Sequence, residues 1–344
     1  MKYLAFAAAC MLSGSAFAAD LAASKAPPAP EPPKPLIAWP EPNFDILKSG
    51  FDYAFGAKLM SDYISRGITQ SAHRPAGSVY GELRYGWFYA GVQPWSVKLP
   101  TNPLMELDVY GGIRPVWGPL TLDFGVIGYL YPGNRTRYFL AGDFPVLPIF
   151  TANGATAGLP TTATDPSYLE IYAKASWALN DYLTIGTSFA YDPNWNNYGA
   201  QAYYYEGNAK LTIPDTGFSV SGAFARYQLG YANAVPYGFS AIDPKQNFAP
   251  FFGKGFKFPS YYTWNIGASY NYKAVTFDVR YSGTSLGRQA CAIATSDPAA
   301  NLASGLGGIG RSDWCDGRVM ATISVDFSSS TFDTPAVAPV VAKY

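Results

Sequence analysis

Apolar and polar residues alternate one for one along much of this chain. The clearest stretch is Arg318 to Phe327. Val319, Ala321, Ile323, Val325 and Phe327 are apolar, Arg318, Thr322, Ser324 and Asp326 are polar, and only Met320 blurs the second face. A period of two places these sets on opposite faces of a β-strand. The same pattern starts at Phe51, where Phe51, Tyr53, Phe55, Ala57 and Leu59 oppose Asp52, Gly56 and Lys58. It recurs at Val79–Tyr85, Phe88–Val92, Met105–Arg114, Leu120–Val126, Leu169–Trp177, Leu183–Phe189, Tyr203–Leu211, Phe218–Phe224, Tyr262–Asn271 and Val275–Tyr281.

The breaks between these stretches alternate in length. Short ones lie at Gly86-Trp87, Trp117-Gly118-Pro119, Asn180-Asp181, Pro214 to Gly217 and near Lys273. Longer ones run over Ser61–Gly77, Pro100–Pro103, Pro132–Ser167, Asp192–Gly199, Ala232–Pro259 and Ser285–Asp316. Short turns on one side and long loops on the other are the hairpin pattern of an outer-membrane barrel. The expected fold is all-β: a transmembrane antiparallel β-barrel of about 12 strands, its apolar faces turned to lipid. Arg226 breaks the apolar parity of its strand. A lipid-facing arginine at mid-membrane costs ~2–4 kcal/mol, so it is expected above the membrane or behind a bulge.

Composition agrees. Aromatic residues make up 17% of the 344, with 27 Tyr and 22 Phe, and charged residues only 14%, against about a quarter in ordinary soluble domains. Tyr85-Trp87, Trp117, Trp177, Tyr182 and Tyr270-Tyr272 fall at strand ends, as interfacial girdles do. The formal net charge is zero, which argues against a nucleic-acid partner. A secreted soluble sandwich or propeller is the competing fold. The charges of both signs spaced along the polar faces favour a watered lumen over it.

The N-terminus sets the compartment. Lys2, the apolar run Leu4–Leu12 and the small-residue site Ala16-Phe17-Ala18 read as a secretory signal peptide over residues 1–18, with Cys10 in its discarded core. Residues 19–48, which contain PPAPEPPKP, form an extended proline-rich periplasmic arm. The barrel then spans 49–328, and 329–344 form a periplasmic tail.

The loop after the first strand reads SDYISRGITQS from Ser61 to Ser71, and WFYAGV follows at Trp87 to Val92. This segment resembles the TorF family of proteobacterial outer-membrane porins through the pattern SDY-x-x-RG-x-x-QS. The later strands match only in their alternation, and this chain has longer loops and a tail beyond Phe327. The resemblance implies a channel and names no solute.

The polar faces supply the candidate pore-lining residues: Lys58, Glu82, Arg84, Glu106, Asp108, Arg114, Asp123, Glu170, Lys174, Glu206, Lys210, Asp278, Arg280 and Arg318. They could brace a narrow barrel as ion pairs or line a water lane, and their mixed signs predict weak ion selectivity. Cys291 and Cys315 are the cysteines left after signal cleavage. In an oxidising compartment they are expected to form a disulfide in the last long loop. His73, the single histidine, lies in the first long loop rather than on a strand beside a serine, which weighs against a barrel hydrolase. No His/Cys cluster suggests a metal, and no cofactor is expected. The expected function is passive diffusion of small polar solutes across the outer membrane by a non-enzyme. A closed structural or adhesive barrel is the alternative, and an outer-membrane hydrolase a weaker one. The partners are outer-membrane lipid and the solute itself. A monomer is favoured, although outward small residues such as Gly81, Gly111, Ala173, Gly222 and Ala268 are compatible with barrel–barrel contact.

Overall fold

A computed structural model describes residues 51–134, 138–139, 159–160, 166–231, 257–297, 299–300 and 311–329. The expected signal peptide (1–18) and proline-rich arm (19–48), all but the first residue of the expected tail (329–344), and most of the Pro132–Ser167 and Ala232–Pro259 stretches lie outside them.

The alternating stretches become β1 (Phe51–Met60), β2 (Ala76–Tyr85), β3 (Phe88–Trp95), β4 (Glu106–Ile113), β5 (Leu120–Leu130), β6 (Tyr168–Ala178), β7 (Leu183–Trp195), β8 (Ala200–Thr212), β9 (Phe218–Leu229), β10 (Tyr261–Tyr272), β11 (Val275–Thr284) and β12 (Arg318–Ser328). Each strand pairs antiparallel with the next, and β1 pairs with β12 in a register from Ala54↔Ser328 to Met60↔Thr322. The result is a closed 12-stranded barrel. Closure satisfies the backbone of both end strands and leaves no open sheet edge, as a lipid setting requires.

Face assignment follows parity. Leu59, Leu83 and Val319 are more than 60% exposed, and Ile266 and Val279 more than 55%. These side chains form an outward apolar band, which in water would be a large unprotected patch and in a bilayer meets acyl chains. Rings mark the ends of the band. Phe51 packs on Tyr85 and Phe218 on Tyr270 toward the short turns, whereas Tyr191 packs on Tyr203 and Phe224 on Tyr262 toward the long loops.

Inside, close cross-strand pairs pave the wall from β1 to β6. Tyr80 faces Gly56, Tyr110 faces Gly91, Tyr89 faces Gly112 and Tyr172 faces Gly125. A Cβ on Gly56 would stand 2.6 Å from the Tyr80 ring, and one on Gly125 2.5 Å from the Tyr172 hydroxyl. Glycine is required because each ring lies across its partner's backbone.

Several expectations need correction. The Asp192–Gly199 segment is not all loop: β7 continues to Trp195 through a register shift between Asp192 and Trp195, because Trp195 is buried against Tyr198 and Phe258 inside the barrel. The Ser61–Gly77 loop contains a small β-hairpin, Ile64–Ser65 paired with Ile68–Thr69, and β2 starts at Ala76. The last loop contains helix α1 (Arg288–Thr295). At Arg226 there is no bulge. The registers with β8 and β10 run unbroken through it, and its guanidinium lies over the outward Tyr262 ring at 4.5 Å, near the long-loop end of β9.

Candidate functional site: the barrel lumen and its mouth

The loop after β1 turns inward, because a single carboxylate gathers its polar groups. Asp62, 3% exposed, accepts hydrogen bonds from Thr69 Oγ1 (2.5 Å) and Ser71 Oγ (2.8 Å), and its Oδ2 lies 2.9 Å from His73 Nδ1. Inside this ring of contacts the chain makes its tight hairpin. Gly67 adopts φ +80°, and a Cβ there would collide with Thr263 and Thr284 of the wall. The hairpin is therefore pressed against β10 and β11 at a point where only glycine fits.

The hairpin tip carries Arg66 across the lumen. Its Nη1 and Nη2 donate to Glu170 Oε1 and Oε2 of β6 at 2.6 and 2.7 Å. The guanidinium also lies over the rings of Tyr204 (4.6 Å) and Tyr227 (4.7 Å), and Tyr129 donates to Glu170 at 3.0 Å. Burial pulls the Arg66 pKa down, but the adjoining Glu170 carboxylate outweighs it and the net shift is upward. The bidentate, fully charged pair is a latch between the mouth hairpin and the far wall. Beside it, Tyr63 stacks on Trp95 at 4.3 Å and donates to Glu106 at 2.8 Å, while Tyr131 donates to the other oxygen of Glu106 at 2.7 Å. Burial first, and the Glu106 charge second, push the Tyr63 and Tyr131 hydroxyls well above the usual tyrosine range, so both stay protonated as donors.

Toward the short turns, the β2–β6 wall holds a compact ion network. Glu82 meets Arg84 at 2.5 Å and Arg114 at 3.0 Å, and Arg114 meets Asp123 at 3.2 Å. Arg114 lies over Tyr89 at 4.0 Å, and Tyr89 hydrogen-bonds both Asp123 and Tyr172. The β7–β12 wall differs. Arg280 contacts Asp278 (3.0 Å), Asn265 (2.6 Å) and Ser221 (2.9 Å), but its inward neighbours are small and polar. Ser188, Asn208, Ser269, Asp278 and Ser324 all retain partial exposure inside the barrel, whereas Tyr89, Tyr110 and Tyr129 opposite them are buried. Several small polar side chains of the β7–β12 wall thus keep partial exposure, whereas toward the long loops Tyr204, Tyr227 and Tyr261 pack that wall as well.

The remaining sequence-predicted residues also face inward. Lys58 lies over Trp95 (5.8 Å) and Lys174 over Tyr172 (4.8 Å). Glu206 accepts from Tyr204 (2.6 Å) and Asn208 (3.1 Å), Asp108 accepts from the Trp95 indole (3.1 Å), and Lys210 shares the inward face of β8. Arg318 lies at the first position of β12. It stands at the long-loop rim, half-exposed, 3.6 Å from the exposed Asp313, because β12 begins there.

The predicted disulfide joins Cys291 to Cys315. It fastens α1 to the segment that covers the hairpin: Thr69 N donates to Trp314 O at 3.0 Å, and His73 Nε2 lies 3.4 Å from Asp313 Oδ1. Ser71 and the His73 ring both engage Asp62 rather than each other, so the hydroxyl and imidazole do not form a nucleophile–base pair. Among the described residues, no group of three or more His, Cys, Asp or Glu could hold a metal ion.

Between the hairpin, the loop after β3, the β7–β8 connection and α1 lies a cavity of about 160 Å³. Sequence reasoning missed Asp62, Tyr63 and Arg66 as site residues. The signal that could have found them is the SDY-x-x-RG-x-x-QS pattern, whose fixed positions include Asp62, Tyr63, Arg66, Gly67 and Ser71.

Residues 47–142, which hold β1–β5 and the hairpin, match the model of a family described as a bacterial protein of unknown function (Gcw_chp); the resemblance to TorF porins rests on the same segment. No curated protein matches the sequence. Solved structures similar to this one include the NanC porin (13% identity, 81% of this chain and 98% of that one, TM-score 0.36). Others are the KdgM porin in complex with disordered oligogalacturonate (8%, 80% and 99%, 0.39) and the COG4313 outer-membrane channel from Pseudomonas putida F1 (9%, 83% and 98%, 0.37). At these scores the likeness carries no functional weight. The closed 12-stranded antiparallel barrel with its outward apolar band has the build of a membrane-spanning β-barrel.

Proposed function

We propose that this protein is a porin for passive diffusion of small polar solutes, with a narrow passage along the wetted β7–β12 wall and a mouth constricted by the Arg66 hairpin. The observation that carries this reading is the division of the lumen. Ser188, Asn208, Ser269, Asp278 and Ser324 on one wall keep partial exposure, whereas Tyr89, Tyr110 and Tyr172 on the other are buried. Barrels of this size lie between the filled eight-stranded and the open sixteen-stranded cases, so side-chain size on the inner face decides whether water passes. Glu82, Arg84, Arg114 and Asp123 then act as braces, and Lys58, Lys174, Lys210, Glu206, Asp278 and Arg280 border the lane. The mixture of signs predicts conductance with little ion selectivity.

The Arg66–Glu170 latch favours a second reading, a closed barrel that acts through its external loops. Planar-bilayer recording separates the two. Small stable steps from the wild type, enlarged in Arg66→Ala, support the porin. A folded, heat-modifiable barrel that is silent in both forms leaves the closed barrel.

A further inference from the structure

We infer that the outer wall of β8–β10 carries a site for one anionic, phosphate-bearing lipid of the leaflet that borders the long loops. The site is centred on Arg226. Every other outward position of β1–β12 is apolar, aromatic, glycine, proline or uncharged polar, so Arg226 is the charged exception on the lipid-facing surface of the described strands. It stands in an aromatic row. Tyr205 on β8 and Tyr262 on β10 are its direct cross-strand partners, and its guanidinium lies 4.5 Å from the Tyr262 ring centre. Beyond Tyr205 the row continues to Phe189 at 5.3 Å, and Phe224 stacks on Tyr262 at 5.5 Å. Outward residues toward the long loops on β1–β6 are aliphatic instead: Leu59, Val79, Val92, Val109, Leu130 and Leu169. The aromatic sector and the outward cation coincide.

The chemistry of the occupant follows from this setting. Arg226 is half-buried, and among the described residues no carboxylate pairs with it. A cation at the edge of hydrocarbon draws a counter-charge from its surroundings. Its planar fork matches two oxygens of one phosphate. The flanking Tyr205 and Tyr262 can donate to the others, and they are 45% and 44% exposed, so an occupant outside the barrel reaches them. A second copy of this chain is a poor source of the anion, because its outward positions offer no carboxylate. Depth favours a lipid over a free anion. Arg226 lies within β9 rather than in the loop beyond Leu229, and acyl chains packed along Phe189 and Phe224 would hold a phosphate at that level. The inference rests on the outward band facing lipid and holds for an open or a closed barrel alike.

The test is lipid titration of the detergent-folded full chain, with bound lipids counted by native mass spectrometry. The probes are phosphatidylglycerol, phosphatidylcholine with the same acyl chains, oleate as a carboxylate, and inorganic phosphate as a soluble competitor. The wild type is expected to retain one phosphatidylglycerol in preference to phosphatidylcholine and oleate. Arg226→Gln should weaken that first binding about five-fold and leave phosphatidylcholine binding unchanged. Arg226→Lys, which keeps the charge and loses the fork, should fall between the two. The double variant Tyr205→Phe/Tyr262→Phe, which removes only hydroxyls, should weaken binding by a smaller factor. Heat-modifiable mobility checks that each variant is folded. Equal phosphatidylglycerol affinity in the wild type and Arg226→Gln overturns the proposal, as does the absence of any preference over phosphatidylcholine or oleate. Displacement of the lipid by inorganic phosphate would mean a site for soluble anions and overturns the lipid assignment.

Discussion

Arg66 and Glu170 stand 104 positions apart in the chain, yet their charged groups meet in two parallel hydrogen bonds of 2.6 and 2.7 Å across the barrel mouth. The pair is largely desolvated, with side chains 16% and 3% exposed. Removing one partner from such a pair leaves an uncompensated buried charge and costs about 3–5 kcal/mol. Arg66→Ala should therefore lower the temperature at which the barrel loses its heat-modifiable mobility, and Glu170→Gln should do so less. The double variant Arg66→Ala/Glu170→Ala should lose less than the sum of the single substitutions. Strict additivity in urea unfolding from detergent would show that the two side chains do not act as a pair.

The disulfide should protect the mouth more than the wall. Cys291–Cys315 closes a loop of 24 residues, for which chain entropy gives about 3 kcal/mol. The cover it stabilises touches the hairpin at Thr69–Trp314 and His73–Asp313, and none of the β1–β12 pairings depends on it. Reduction, or Cys291→Ser with Cys315→Ser, should speed protease cleavage within Ser285–Asp316 while the barrel keeps its heat-modifiable mobility. Loss of the folded barrel on reduction would contradict this local role.

How much of this was legible in the sequence depends on the range of the interaction. Faces were legible, because a period of two ties every residue of a strand to one side: Lys58, Glu106 and Arg280 all point inward as their parity requires. The disulfide was legible from cysteine number and compartment. The hairpin was not, because its stability rests on partners far away in sequence. Nothing local to Arg66 announces Glu170, and nothing local to Gly67 announces Thr263 and Thr284. The end of β7 was misjudged for the same reason. Asp192-Pro193-Asn194 reads as a turn, but burial of Trp195 against Phe258 carries the strand past it.

The tyrosine-on-glycine pairs make a differential prediction within one residue type. Gly125→Val forces the Tyr172 ring off its backbone seat and disturbs the Tyr89–Tyr172 hydroxyl contact, so it should cost about 1–3 kcal/mol as an overpacked interior substitution. Gly81→Val faces lipid, and its new Cβ meets nothing within 4 Å. It should be neutral or slightly stabilising, since a branched apolar side chain suits a strand there. Equal losses in urea unfolding would mean that the paving has no special weight.

Depth in the bilayer gives the last test, through Arg226 and Ile266. Both point outward, yet Arg226 lies near the long-loop end of β9 with its guanidinium over Tyr262, whereas Ile266 lies mid-strand on β10, 59% exposed and paired with Gly222. An outward arginine costs ~2–4 kcal/mol at the midplane and ~0–1 kcal/mol near an interface. Arg226 is tolerated at the interface because its long stem lets the charge reach headgroups while its plane rests on a girdle ring. Arg226→Leu should therefore change stability by less than about 1 kcal/mol. Ile266→Arg should cost ~2–4 kcal/mol in folding from urea into bilayers, with little loss in detergent micelles, whose headgroups follow the side chain. A large penalty for Ile266→Arg in micelles as well would mean that the residue packs against protein, and the lipid-facing band would have to be redrawn.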